Sequence, residues 1–178
     1  MLRHRFRMEH RRHDDPVLIT VPDRDSPEQR VRTAVGLFDL RNALVCEARD
    51  TWLGLCGTRL MPSRAQMTPR VMRSFLKHTA LLQVVEGGFR YRVVGDAVNL
   101  QQGIMLQGMT TADLDARLPG YGAQLARLYA RACRRREILA YRGLYFRSAD
   151  QHSFAHESIM APLGDDGETP DHLIVVAA

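Results

Sequence analysis

The feature that most constrains this 178-residue chain is a strand-period stretch folded about two adjacent glycines. Thr79 to Glu86 is rich in β-forming residues, Gly87-Gly88 tolerates positive φ, and Phe89 to Val94 alternates Phe89, Tyr91 and Val93 against Arg90 and Arg92. Period-two alternation sends successive side chains to opposite faces, so the segment is predicted to be an antiparallel hairpin with one face to bury. A hairpin alone is marginal in water. Further elements must cover it.

The rest of the chain offers them. Leu40, Leu44, Ala48, Trp52 and Leu55 recur at spacings of three and four, with Asp39, Arg41, Asn42, Arg49 and Asp50 on the other side, which predicts an amphipathic helix of about five turns ended by Gly57. Gly57 to Pro69 has no clean period, and Val71 to Leu76 is a short apolar stretch. Thr110 with Asp113 forms a capping pair for a short helix at Ala112 to Leu118. A second amphipathic helix follows Pro119-Gly120, with Tyr121, Leu125, Leu128 and Ala132 on its apolar side and Arg127, Arg131, Arg134, Arg135 and Arg136 toward solvent. Arginines in a last turn offset the negative end of the helix dipole, so Arg134 to Arg136 read as a solvated helix end. Leu139 to Arg147, Phe154 to Leu163 and His172 to Ala177 read as three more strands. One helix, two strands, helices and three strands make an α+β domain with helices on one sheet face.

Charge adds a boundary. The formal net charge is +5, from 25 Lys+Arg and 20 Asp+Glu, and Lys77 is the only lysine. Residues 1–13 hold five arginines and one glutamate, so most of the surplus belongs to an arm and the remainder is nearly neutral. That distribution argues against a domain that coats nucleic acid with a folded cationic face. Asp14 to Pro27 carries three prolines and reads as an extended linker, so 1–36 is expected to be a largely disordered arm and linker, and 37–178 a single domain. No apolar run reaches the roughly 18 to 20 residues of a membrane span, and Val17 to Val21 is too short for an export signal. Cys46, Cys56 and Cys133 are odd in number with no metal-ligand spacing, which fits reduced thiols in a cytoplasmic protein.

The segment from Gly57 through Arg59, Met61, Pro62, Ser63, Arg64 and Ala65 to Pro69, with Trp52 before it and Phe89 to Gly95 after it, resembles a bacterial, mainly alphaproteobacterial, PAS-like family. Relatives carry a G-x-R-x-M-P-x-R-A segment, an aromatic residue on the preceding helix and a strand ending in a Y-R-V-G element. The chain departs from the pattern at Thr68, where relatives carry an acidic residue. The resemblance implies a sensory or protein-interaction domain, with a five-stranded antiparallel sheet and an N-terminal helix, often a homodimer, whose cavity can hold a small ligand. It implies no particular cofactor.

On that reading Phe89, Tyr91, Val93, Met105, Met109 and Tyr141 are the pocket candidates for a small apolar ligand. Trp52, Arg59, Pro62 and Arg64 are motif residues, the two arginines expected to clamp carboxylates or carbonyls or to meet a partner. Leu40, Leu44, Ala48 and Leu55 are the expected dimer face, and the protein partner is unknown. His78, before the first hairpin strand, is a structural residue or a haem ligand. His152 and His156 are four apart beside Glu157, but on a strand that spacing is roughly 13 Å, which disfavours a shared metal. No phosphate-binding glycine loop or catalytic constellation occurs, so the expected activity is signalling without catalysis. The last strand ends with the chain, so output is expected through a partner or dimer geometry. The alternative is a nucleic-acid-associated regulator acting through the Arg-rich arm.

Overall fold

The computed structural model describes the backbone of residues 17–22, 27–147 and 152–178, and the side chains of 33–143 and 155–178. Residues 1–16, and the basic arm with them, lie outside the described residues.

The elements run in the order β1 (Val17–Pro22), β2 (Pro27–Val35), α1 (Ala43–Cys56), β3 (Thr79–Val85), β4 (Gly88–Val94), α2 (Asp96–Gln102), α3 (Thr111–Arg117), α4 (Tyr121–Arg135), β5 (Leu139–Arg147), β6 (His152–Leu163) and β7 (His172–Ala177). All strand pairs are antiparallel, in one sheet of order β1-β2-β5-β6-β7-β3-β4. The last strand thus sits between β3 and β6, and the β3–β4 hairpin closes one edge.

Two expectations about the sheet are corrected. It has seven strands among the described residues rather than five, because β1 and β2, expected as linker, form a hairpin that pairs with β5. Two of the three prolines that suggested a linker stand at strand ends, where Pro22 faces Pro27 and a missing N–H costs least, and Pro16 lies outside the described residues. The helices also occupy both faces rather than one. Successive residues of β7 show it: Leu173 belongs to the core under α4, Ile174 to the core under α1.

Local chemistry sets the element ends. The side chain of Asn42 accepts from the Leu44 and Val45 amides at 3.0 and 3.3 Å, which starts α1 later than periodicity alone suggests, and Gly57 ends it with φ 58°. Thr110 and Asp113 make the expected capping box on α3. In the hairpin Val85 pairs with Gly88, so the turn is Glu86-Gly87, one residue earlier than expected. Leu81 pairs with Val93 and Leu82 with Tyr91, which leaves Arg92 as the extra residue of a bulge. The bulge reverses the alternation: Val94 is buried and Val93 is 37% exposed.

Candidate functional site

Two places gather polar chemistry inside the fold. The first is a cavity between the sheet and helices α2 and α4, lined by His78, Tyr91, Gln102, Tyr121, Tyr129 and Ser158, with Val98, Leu106, Leu125 and Val175 among the apolar contributors. The Tyr91 and Tyr129 hydroxyls lie 3.1 Å apart, and the Tyr121 hydroxyl donates to Gln102 Oε1 at 2.7 Å. Ser158 is 1% exposed, and its Oγ has no hydrogen-bond partner among the described residues. The His78 Nδ1 is 3.2 Å from the Ala177 carbonyl, so this histidine is tied to β7. The cavity volume is about 30 Å³. A water needs roughly 10 to 15 Å³ of such room, so the space suits one or two waters.

Of the six pocket candidates, only Tyr91 lines this cavity. Phe89 and Tyr141 are buried in the core beneath α4, where the Phe89 ring meets Tyr129 edge-on at 5.4 Å. Met109 packs at the core margin, and its carbonyl accepts from the Tyr91 amide. Val93 is turned out by the bulge, and Met105, 70% exposed in the loop after α2, faces solvent. Neither lines this cavity. The expectation failed because a strand period cannot foresee a bulge, nor a loop's path.

The second place is the anchor of α1. Glu157 is buried on β6, yet its Oε2 accepts from the amides of Arg41 and Asn42 at 2.6 and 2.7 Å. Its Oε1 accepts two bonds from Arg142 on β5, at 2.9 Å from Nε and 2.6 Å from the terminal nitrogen. That guanidinium also donates to the Asp39 carbonyl at 2.7 Å, and Arg49 donates to the Leu37 carbonyl at 3.1 Å. Burial pushes the Glu157 carboxyl up, but the Asn42 and Arg41 amides and the Arg142 guanidinium outweigh it and hold the group below its ordinary range. The entry to α1 is thus tied to the middle of the sheet through one carboxylate. His156 precedes it on the strand and points to the opposite face, so the His-Glu pair serves no common site.

The glycine-arginine motif joins the same layer. Trp52 is buried and its Nε1 donates to the Pro162 carbonyl at 2.8 Å. Arg59 donates to the carbonyls of Gly164 and Asp165, at 3.1 and 2.5 Å, and so clamps the β6–β7 turn. Met61 is buried, and the Pro62 carbonyl accepts from Gly164. Arg64 is exposed and its side chain makes no hydrogen bond or ion pair among the described residues, which corrects its expected role as a clamp. The dimer face is corrected as well. Leu40 and Ala48 are buried, and Leu44 and Leu55 half-buried, in the core between α1 and the chain's own sheet. Leu40 and Ala48 are consumed inside the protomer, and Leu44 and Leu55 are partly so.

Sequence reasoning missed Arg142, Tyr121, Tyr129, Gln102 and Ser158 as members of these sites, and passed over Glu157 except as a neighbour of histidine. One signal was available: a glutamate inside the apolar run of β6 must find partners if it is buried. Burial also pushes the Cys56 and Cys133 thiols up to about 11, which keeps them protonated and poor nucleophiles at neutral pH.

No helix among the described residues is long and apolar enough to cross a membrane. No family model matches the sequence, and no curated protein matches it. Among solved structures the chain is similar to an RNA-binding light-oxygen-voltage receptor, with a TM-score of 0.37 and 12% identity over 93% of this chain and 76% of that one.

Proposed function

We propose that the chain is a PAS-type sensory and protein-interaction domain that works in bacterial signal transduction in the cytoplasm and performs no catalysis of its own. The observation that supports this reading is the element order from α1 onward: a helix, two strands, three helices and three strands on one antiparallel sheet, as the motif resemblance implies. The small polar cavity favours response to a partner over storage of an apolar ligand. Within this reading α1, held over the second sheet face by Glu157, is the element through which binding is read out.

The partner surface belongs on the outer side of α1 and the turn after it, where Leu53 and Leu60 are exposed, in place of the four residues that pack beneath the helix. A second copy of the chain is the proposed occupant. Sedimentation velocity together with native mass spectrometry tests this. The expected result is a dimer without a retained organic cofactor, which Leu53→Asp converts to a monomer of unchanged melting temperature. A monomer at every concentration, or a cofactor-sized molecule retained by the purified chain, contradicts it.

A further inference from the structure

We propose that the solvent face of α4 is a docking surface for the phosphate backbone of a nucleic acid. Arg127, Arg131, Arg134 and Arg135 fall within about 100° of one another around the helix axis, at 100° per residue. Arg127, Arg134 and Arg135 are exposed and Arg131 half-buried. No acidic residue occurs anywhere in Tyr121–Arg135, and none of the four guanidiniums has a hydrogen bond or ion pair among the described residues.

The helix dipole explains only part of this. It favours Arg134 and Arg135 in the last turn, but its effect fades beyond that turn, and Arg127 stands at the middle of the helix. Arg127 with Arg131, and Arg131 with Arg135, are like charges four apart, an arrangement that repels on a helix surface. A polyanion laid along the face removes that repulsion.

Spacing selects the polyanion, and the residue type is able to grip it. The four guanidiniums span about 12 Å of helix axis. One strand of a duplex presents a phosphate every 3.4 Å or so, hence about three or four over the same length. All four positions are arginine, whose planar fork pairs with phosphate oxygens through two bonds. A lipid surface fits less well, because the apolar side of α4 that would enter a bilayer is committed to the core through Tyr121, Leu125, Leu128, Tyr129 and Ala132. The inference stands apart from the signalling reading, since it needs only α4.

Fluorescence anisotropy of the full chain against a labelled single-stranded RNA and a labelled DNA duplex, between about 50 and 200 mM salt, tests it. Four phosphate contacts to a single strand give a log-log salt slope of about −3, so wild-type affinity should fall roughly 50-fold over that range through this face. The variant R127Q/R131Q/R134Q/R135Q should lose that slope, while R70Q/R73Q, which removes two exposed arginines elsewhere, should leave it unchanged. Should the quadruple variant lose its circular dichroism spectrum, R127E with an intact melting curve must weaken binding instead. The proposal is overturned if wild type binds neither nucleic acid, if the α4 variants bind like wild type, or if only removal of residues 1–13 abolishes binding. It is equally overturned if the face captures anionic vesicles or polyglutamate and no nucleic acid.

Discussion

Arginine illustrates how one residue type serves different ends in this chain. Arg59 reaches across a turn to two carbonyls, Arg142 grips a buried carboxylate, and Arg64 does neither. Arg59→Ala should therefore lower stability by about 1 to 2 kcal/mol through two lost hydrogen bonds. Arg64→Ala, from an exposed site, should change it by no more than about 0.5 kcal/mol. Thermal melts of the two variants side by side check the contrast; equal losses would assign both arginines to the core. Composition and motif spacing singled out both. Only the path of the β6–β7 turn distinguishes them, and nothing in Gly57 to Pro69 encodes where that turn comes to rest.

Among the elements, helix α4 and the strands β5, β6 and β7 were legible because their periods run long and their ends carry turn residues. β1 and β2 were not, because three prolines in a short polar stretch outweigh a β-rich Val17 to Val21, and the strand that seats this hairpin in the sheet, β5, lies more than a hundred residues beyond β2. The packing of α3 on α4 was equally hidden. A Cβ on Gly122 would enter the backbone of Thr111 and Asp115, so the crossing of the two helices depends on that glycine. Alanine gains about 1 kcal/mol of helix propensity there and loses more to overpacking, of about 1 to 3 kcal/mol. Gly122→Ala should thus be destabilising in denaturant titration. A gain in stability would show that α3 stands off α4. Helix α1 depends instead on Glu157, whose carboxylate is lowered in the fold. In the unfolded chain that group titrates near 4.3, so its contribution is complete above about pH 4.3 and is lost as the pH falls through the folded value. Glu157→Gln should cost about 2 kcal/mol at neutral pH, and the gap to wild type should close in acid.

At the scale of the whole molecule, the chain is a single sheet with apolar cores on both faces, one under α4 and one under α1. The α+β class was legible from the order of periods. The two-sided covering was not, since an amphipathic helix declares that it has a face to bury but not which face of the sheet receives it. The apolar face of α1 was accordingly assigned to a second copy when it belongs to its own core. What links the two layers across the sheet is strand alternation on β6, where Ser158 faces the cavity and Glu157 the helix entry. An element that carries a signal must be able to leave or shift on its support, and α1 is held at its start by one titratable group. Hydrogen exchange read by mass spectrometry, on wild type and Glu157→Gln at neutral pH, measures this directly. The account predicts faster exchange in residues 37–56 of the variant, with β3, β7 and α4 unchanged; unaltered exchange in α1, or a uniform rise across the chain, would contradict it.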